Sequence, residues 1–145
     1  MVLSVIPNIH NVEASPAHKS VSVLGSTGSV GCNTIDLIER SPDRFSVKAL
    51  TANHNVTLLA DQARRLRATL AVVADETLYG LLKEALAGSG IEVAAGRQAI
   101  IEAAELDSDF VMAAIVGAAG LAPTLAAIRR GTAVGLANKE CLVSA

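Results

Sequence analysis

The sequence predicts an α/β protein built on a doubly wound, mostly parallel sheet with helices on both faces. Three observations carry that reading. Short apolar runs alternate with amphipathic stretches after residue 19, and nowhere do strands follow one another directly. A glycine-rich stretch, Gly25-Ser26-Thr27-Gly28-Ser29-Val30-Gly31, joins the first apolar run, Val21-Ser22-Val23-Leu24, to the first amphipathic one. Hydrophobic residues make up 51% of the 145-residue chain and aromatic ones only 2%, so the interior is Ala, Val, Leu and Ile, as a sheet covered on both faces requires. Parallel strands need helical crossovers, and these are right-handed. The length suits one domain with its own core.

Residues 1–19 contain Pro7, Asn8, Asn11, Ser15 and Pro16 and are expected to form a flexible lead-in, with residues 20–145 as the domain. Met1 to Ile6 is apolar but short, without a basic leader or a clear small-residue cleavage site, so no signal peptide is expected. Val21 to Leu24 is the first strand. Cys32 to Arg40 follows the glycines as a helix, with Ile35 and Ile38 three apart and Leu37 beside them, and Ser41-Pro42-Asp43 stops it. Phe45 to Thr51 alternates and reads as a second strand. Val56 to Arg67 puts Val56, Leu59, Ala60, Ala63 and Leu66 on one helical face, leaving Arg64, Arg65 and Arg67 as a solvated surface.

Leu70 to Val73 is the third strand, and Thr77 to Leu86 a helix ended by Gly88-Ser89-Gly90. Ile91 to Ala94 reads as a short strand and Gln98 to Glu105 as a helix. Phe110 to Val116 is a buried strand ended by Gly117. Pro123 stands in the first turn of a helix reaching Arg130, with Gly131 at its end. Ala133 to Leu136 is the last strand. Together these elements make a Rossmann-type fold.

Composition narrows the function classes. A net charge of −2 with no long basic run argues against a nucleic-acid surface. Cys32 and Cys141 are isolated, with neither a disulfide framework nor metal-type spacing, which fits a reducing, cytoplasmic setting. His10, His18 and His54 are scattered, so no metal site is expected in this chain. No apolar run is long enough to span a bilayer.

The glycines have separate tasks. Gly25 turns the chain sharply off the strand, Gly28 lets a pyrophosphate approach the backbone, and Gly31 lets the helix pack close to the sheet. The free N–H groups and dipole at the helix start then hold the phosphates. NAD-binding domains of this kind place an acid about twenty residues past the glycines, on the ribose 2′-hydroxyl. Here Thr51-Ala52-Asn53-His54-Asn55 contains none, which favours NADP, because an acid would repel a 2′-phosphate. Asn53, His54 and Asn55 also read as simple turn formers.

Two further stretches could carry chemistry. Tyr79 and Lys83 have the Tyr-x-x-x-Lys spacing of short-chain dehydrogenases, but follow the third strand, too early, with no fitting serine upstream; a surface pair on one helix face is expected instead. Asn138-Lys139-Glu140 follows the last strand, at the carboxyl end of the sheet where such folds bind ligands. An amide, a lysine and a carboxylate there suit a nicotinamide, a phosphate and a ribose. They also suit a plain helix start, Asn138 as cap and Glu140 against the dipole, and the residues alone leave both readings standing.

A resemblance goes further. The glycine stretch, Ala49 to Val56, Leu70 to Asp75, Met112 to Leu121 and Leu136 to Glu140 resemble, in order and spacing, the 1-deoxy-D-xylulose 5-phosphate reductoisomerase family. The resemblance covers nearly everything after residue 20 and matches the family's N-terminal NADPH-binding domain. It implies an enzyme that rearranges that sugar phosphate and reduces the product with NADPH to 2-C-methyl-D-erythritol 4-phosphate, in isoprenoid biosynthesis. It also implies a divalent cation (Mg²⁺, Mn²⁺ or Co²⁺) acting as a Lewis acid, and a homodimer at full length.

By the same resemblance Thr27, Gly28, Ser29 and Val30 would hold the pyrophosphate, and Asn53, His54 and Asn55 the 2′-phosphate. Asn138 and Glu140 would line the nicotinamide half and Lys139 would reach the substrate. The family often carries glycine and a basic residue where Asn53 and His54 stand. Its acidic metal ligands and active-site loop follow the Asn-Lys-Glu stretch, so no complete catalytic set and no metal ligand is expected here, and the fragment alone is expected to be inactive. The competing readings are a short-chain-type NADP-dependent sugar oxidoreductase and a free-standing nucleotide-binding domain.

Overall fold

The computed structural model describes residues 18–137. Nearly all of the expected lead-in, as well as Asn138, Lys139, Glu140 and Cys141, lies outside them. β1 (Lys19–Leu24) runs into the glycine turn and α1 (Ser29–Glu39), then β2 (Phe45–Ala52) and α2 (Val56–Leu66). β3 (Leu70–Val73), a 3-10 turn (Glu76–Leu78), α3 (Tyr79–Ala85), β4 (Glu92–Ala95) and α4 (Arg97–Ala104) follow. β5 (Phe110–Ala113), a second 3-10 turn (Ala118–Gly120), α5 (Leu121–Arg129) and β6 (Ala133–Leu136) complete the described chain.

The six strands form one sheet in the order β4-β3-β2-β1-β5-β6, and every pairing is parallel. From β1 the chain steps outward through β2, β3 and β4. It then crosses back to place β5 on the other side of β1. The strand order therefore reverses between β1 and β5, the point at which doubly wound folds open a crevice at their carboxyl ends.

The helices divide between the faces accordingly. Ile35 and Ile38 of α1, Leu59 and Ala63 of α2 and Leu82 of α3 pack with Val21, Val23 and Val73 in one layer. Ile100 and Ala103 of α4 pack on Ala49 and Val72, while Ala126 and Ala127 of α5 pack on Leu24 and Val111, under the opposite face. The expected doubly wound α/β architecture is thus observed.

The differences from the sequence reading are local and have causes. β1 begins at Lys19, two residues before the apolar run, because the Lys19 N–H donates to the Arg44 carbonyl at 2.9 Å. α1 begins at Ser29 rather than Cys32, so the glycine stretch supplies the helix's first turn. The alternation expected of β2 breaks inside the strand: Val21 pairs with Val47 but Val23 with Leu50, one residue more on β2. That bulge lets Val47 and Leu50 face the same layer. The helix expected over 77–86 starts as a tight turn because the Asp75 side chain accepts the Thr77 N–H, and only Tyr79–Ala85 is α-helical.

β5 stops at Ala113, three residues short of the expected Val116. The Ala114 N–H still donates to the Leu24 carbonyl at 2.9 Å, but β1 then turns away at Gly25 and β6 ends at Leu136. With no neighbour left to pair with, Val116 emerges 85% exposed.

The helix α1 separates its two kinds of apolar residue cleanly. Ile35 is 2% exposed and Leu37 is 63% exposed. Ile35→Ala is expected to cost about 2–5 kcal/mol in urea unfolding, whereas Leu37→Ala should stay within about 0.5 kcal/mol.

Candidate functional site

The glycine turn is pinned to the end of the neighbouring strand. The Gly25 N–H is shared between the carbonyl of Thr51 at 3.1 Å and its hydroxyl at 3.0 Å, and the Ser26 N–H donates to the same carbonyl at 2.8 Å. Gly25 has φ +81°, and a Cβ there would lie 2.7 Å from the Ala114 carbonyl oxygen. A Cβ on Gly31 would lie 2.0 Å from the Gly25 carbonyl oxygen. The fold therefore demands glycine at both positions.

Gly28 differs. Its φ of −78° and ψ of 176° suit any residue, and a Cβ there would meet only the Gly25 carbonyl oxygen at 3.8 Å, an ordinary contact. Nothing within the described chain requires the missing side chain, which leaves the close approach of a ligand as its physical use.

Gly28 is also the N-cap of α1. No side chain caps this helix and no acid stands in its first turn. The first-turn N–H groups and the positive end of the dipole are thus available to an anion. Gly28, Ser29 and Val30 are exposed and Thr27 is half-buried, so the four residues expected to hold a pyrophosphate form one accessible rim.

The second expected turn lies beside the first, because β1 and β2 are neighbours. Asn53, His54 and Asn55 are all exposed at the carboxyl end of β2. Asn55 has a structural task as well, since its Oδ1 accepts the Leu58 N–H at 3.2 Å and caps α2. The Asn53 carbonyl accepts the Asp75 N–H at 3.1 Å, which brings the end of β3 to this turn.

Asp75 was not singled out from the sequence. Its carboxyl is held below the usual carboxylate range by the Thr77 hydroxyl at 2.6 Å, then by the Thr77 N–H, with the His54 charge a smaller contribution. β2 carries no acid at its end, as read from the sequence, but β3 supplies one within electrostatic reach of His54. Asn138, Lys139 and Glu140 fall outside the described residues.

Sequence reasoning also missed the polar layer behind the turn: Ser26, Thr51 and Gln62 are each at most 1% exposed. A glutamine among Val56, Leu59, Ala60 and Ala63 was the available signal. Tyr79 and Lys83 form the expected surface pair, with the lysine Nζ 5.8 Å from the centre of the tyrosine ring. Two concavities, of about 520 and 440 Å³, lie at the amino ends of the strands. Arg64, Arg67, Thr69 and Glu92 line the first, at the opposite end of the sheet from the glycine turn.

Comparison with known proteins identifies the family. The family model for 1-deoxy-D-xylulose 5-phosphate reductoisomerase matches residues 21–145. The enzyme of that name from Sinorhizobium fredii is 64% identical over 129 residues, covering 88% of this chain and 33% of its own length. The Rhodospirillum centenum enzyme is 61% identical over all 145 residues, or 36% of its own length. The chain thus spans about a third of the curated relatives it matches. Among solved structures, the Zymomonas mobilis enzyme in complex with NADPH superposes with a TM-score of 0.87 at 61% identity, over 88% of this chain and 34% of that one. A structure of the same enzyme type with NADPH, fosmidomycin and magnesium has a TM-score of 0.82 at 38% identity, over 86% of this chain and 31% of that one.

Two outcomes follow from the site's geometry. Gly31→Ala is expected to destabilise the fold by about 2 kcal/mol or more, while Gly28→Ala stays within about 1 kcal/mol, both read by chemical denaturation. Folding depresses the Asp75 carboxyl, so its contribution to stability is present above the ordinary carboxylate range and is lost as pH falls through the depressed value. Thr77→Val removes the largest cause, and the Asp75 midpoint followed by NMR should move up toward the ordinary range.

Proposed function

Because the chain belongs to the 1-deoxy-D-xylulose 5-phosphate reductoisomerase family, we propose that it is the NADPH-binding part of such an enzyme. The observation that carries this reading is Gly28, a residue whose missing side chain serves no packing need while opening the backbone at an uncapped helix start. In this reading Thr27, Gly28, Ser29 and Val30 hold the pyrophosphate through backbone N–H groups and hydroxyls. Asn53, His54 and Asn55 meet the 2′-phosphate, Asn138 and Glu140 the nicotinamide half, and Lys139 the sugar phosphate. NADPH, when bound, supplies a hydride; this chain's residues bind and orient it.

The domain is proposed to run over residues 20–145. In this reading the parts that complete the chemistry lie in the two thirds of the relatives' length that this chain does not match. These include a site for Mg²⁺, Mn²⁺ or Co²⁺; among the described residues no group of three or more His, Cys, Asp or Glu could hold a metal ion. A homodimer in the cytoplasm, acting on 1-deoxy-D-xylulose 5-phosphate in isoprenoid biosynthesis and binding neither nucleic acid nor membrane, completes the proposal. Among the described residues no helix is long and apolar enough to cross a membrane. Tyr79 and Lys83, exposed on α3, lend no support to a short-chain-type oxidoreductase.

The test is NADPH titration by fluorescence on the full-length protein. Gly28→Val, which the backbone tolerates, should weaken NADPH binding about tenfold or more by blocking the approach of the pyrophosphate. His54→Ala should narrow the preference for NADPH over NADH. Undiminished NADPH binding by a folded Gly28→Val would overturn the reading.

A further inference from the structure

Gln62 is the one polar residue on the buried face of α2, 1% exposed among Leu59, Ala60 and Ala63. Burying an amide in an apolar layer is unfavourable unless every polar atom is met. Here both ends of the side chain reach the glycine turn. Nε2 donates to the Ser26 carbonyl at 2.9 Å, and Oε1 accepts from the Ser26 hydroxyl at 2.7 Å. The carbonyl can only accept, which fixes the end of the amide that faces it. The Cys32 Sγ, 3.8 Å from Nε2, is the one titratable group in hydrogen-bond contact with Gln62 among the described residues.

These bonds determine where a neighbouring N–H points. The Ser26 N–H is held by the Thr51 carbonyl, and the Ser26 carbonyl by Gln62. No described peptide bond is cis. In a planar trans peptide the C=O and the following N–H point in opposite directions. With the Ser26 carbonyl drawn onto α2, the Thr27 N–H points away from α2, and among the described residues no backbone group accepts it. A donor left open beside an uncapped helix start is what an anion needs.

We propose that Gln62 is a positioning residue for the dinucleotide, holding the Ser26 carbonyl so that the Thr27 N–H faces the pyrophosphate. The inference rests on the reading of this turn as the NADPH site and adds a residue that touches no ligand. It also joins the two halves of the site. α2 starts directly after Asn55, and Gln62 stands seven residues, about 10 Å, further along the same helix. One rigid element thereby carries the 2′-phosphate turn at its end and braces the pyrophosphate turn with its side chain.

The experiment uses the full-length protein, with NADPH affinity by fluorescence titration and thermal midpoint measured on each variant. Gln62→Met keeps the volume and removes the donor; it should weaken NADPH binding about tenfold or more. Leu82→Ala, in the same apolar layer but far from the turn, should lower the thermal midpoint at least as much while leaving NADPH affinity within about twofold. Gln62→Glu provides a second readout should the methionine variant fail to fold. Its carboxylate repels the Ser26 carbonyl, but its protonated form donates to it, and burial raises the pH at which the proton is lost. Its NADPH affinity relative to wild type should therefore be poor near about pH 8 and recover toward about pH 6.

Wild-type affinity in Gln62→Met, an equal loss in Leu82→Ala, or a flat pH ratio for Gln62→Glu would each overturn the positioning role while leaving the cofactor reading intact. A wild-type protein that fails to bind NADPH would overturn both.

Discussion

At Gly31 any other residue would place its Cβ 2.0 Å from the Gly25 carbonyl oxygen. The missing side chain lets α1 pack against the turn with only residues 25–28 between it and β1. Gly25 completes the constraint from the other side, because a Cβ there would lie 2.7 Å from the Ala114 carbonyl oxygen, just past the end of β5. The turn is consequently compressed between two backbones. Its outward edge, Thr27 to Val30, is the part left free to meet a ligand.

The sheet order gives this turn its setting. Reversal of the strand order between β1 and β5 opens the carboxyl end of β1, and the pairing of β1 with β2 places Thr51 beneath the turn and the Asn53–Asn55 turn beside it. Two exposed turns thus arise from adjacent strand ends. Asp75 enters from the third strand end as a counterweight. Its carboxylate is held ionised by Thr77 and lies within electrostatic reach of His54, so the charge at this turn is set by residues from more than one strand end.

Much of this was legible in the sequence because local signals and global packing agree. The strand–helix alternation, the glycine spacing and the apolar stripe of α2 each specify one arrangement. What the sequence did not disclose depends on pairing between distant segments. The β2 bulge is invisible in a run of apolar residues that alternates acceptably either way. The early end of β5 reflects neighbours that run out, not its own composition. Ser26, Thr51 and Gln62 belong to three separate elements, and only the folded chain shows that they meet. Of the three, only Gln62 left a signal that could have been read, a polar residue within an apolar stripe. Asp75, just past the third strand, carried no signal in the sequence, and it is the Asn53 carbonyl, accepting its N–H, that ties it to the second turn.

Amide hydrogen–deuterium exchange of the full-length protein with and without NADPH measures directly which end of the sheet receives the dinucleotide. Peptides covering residues 25–32 and 52–56 should gain protection, since the open N–H groups of the turn and of the first turn of α1 become hydrogen-bonded to phosphate. Protection confined to residues 64–69 and 89–92, around the concavity lined by Arg64 and Arg67, with the glycine turn unchanged, would contradict it.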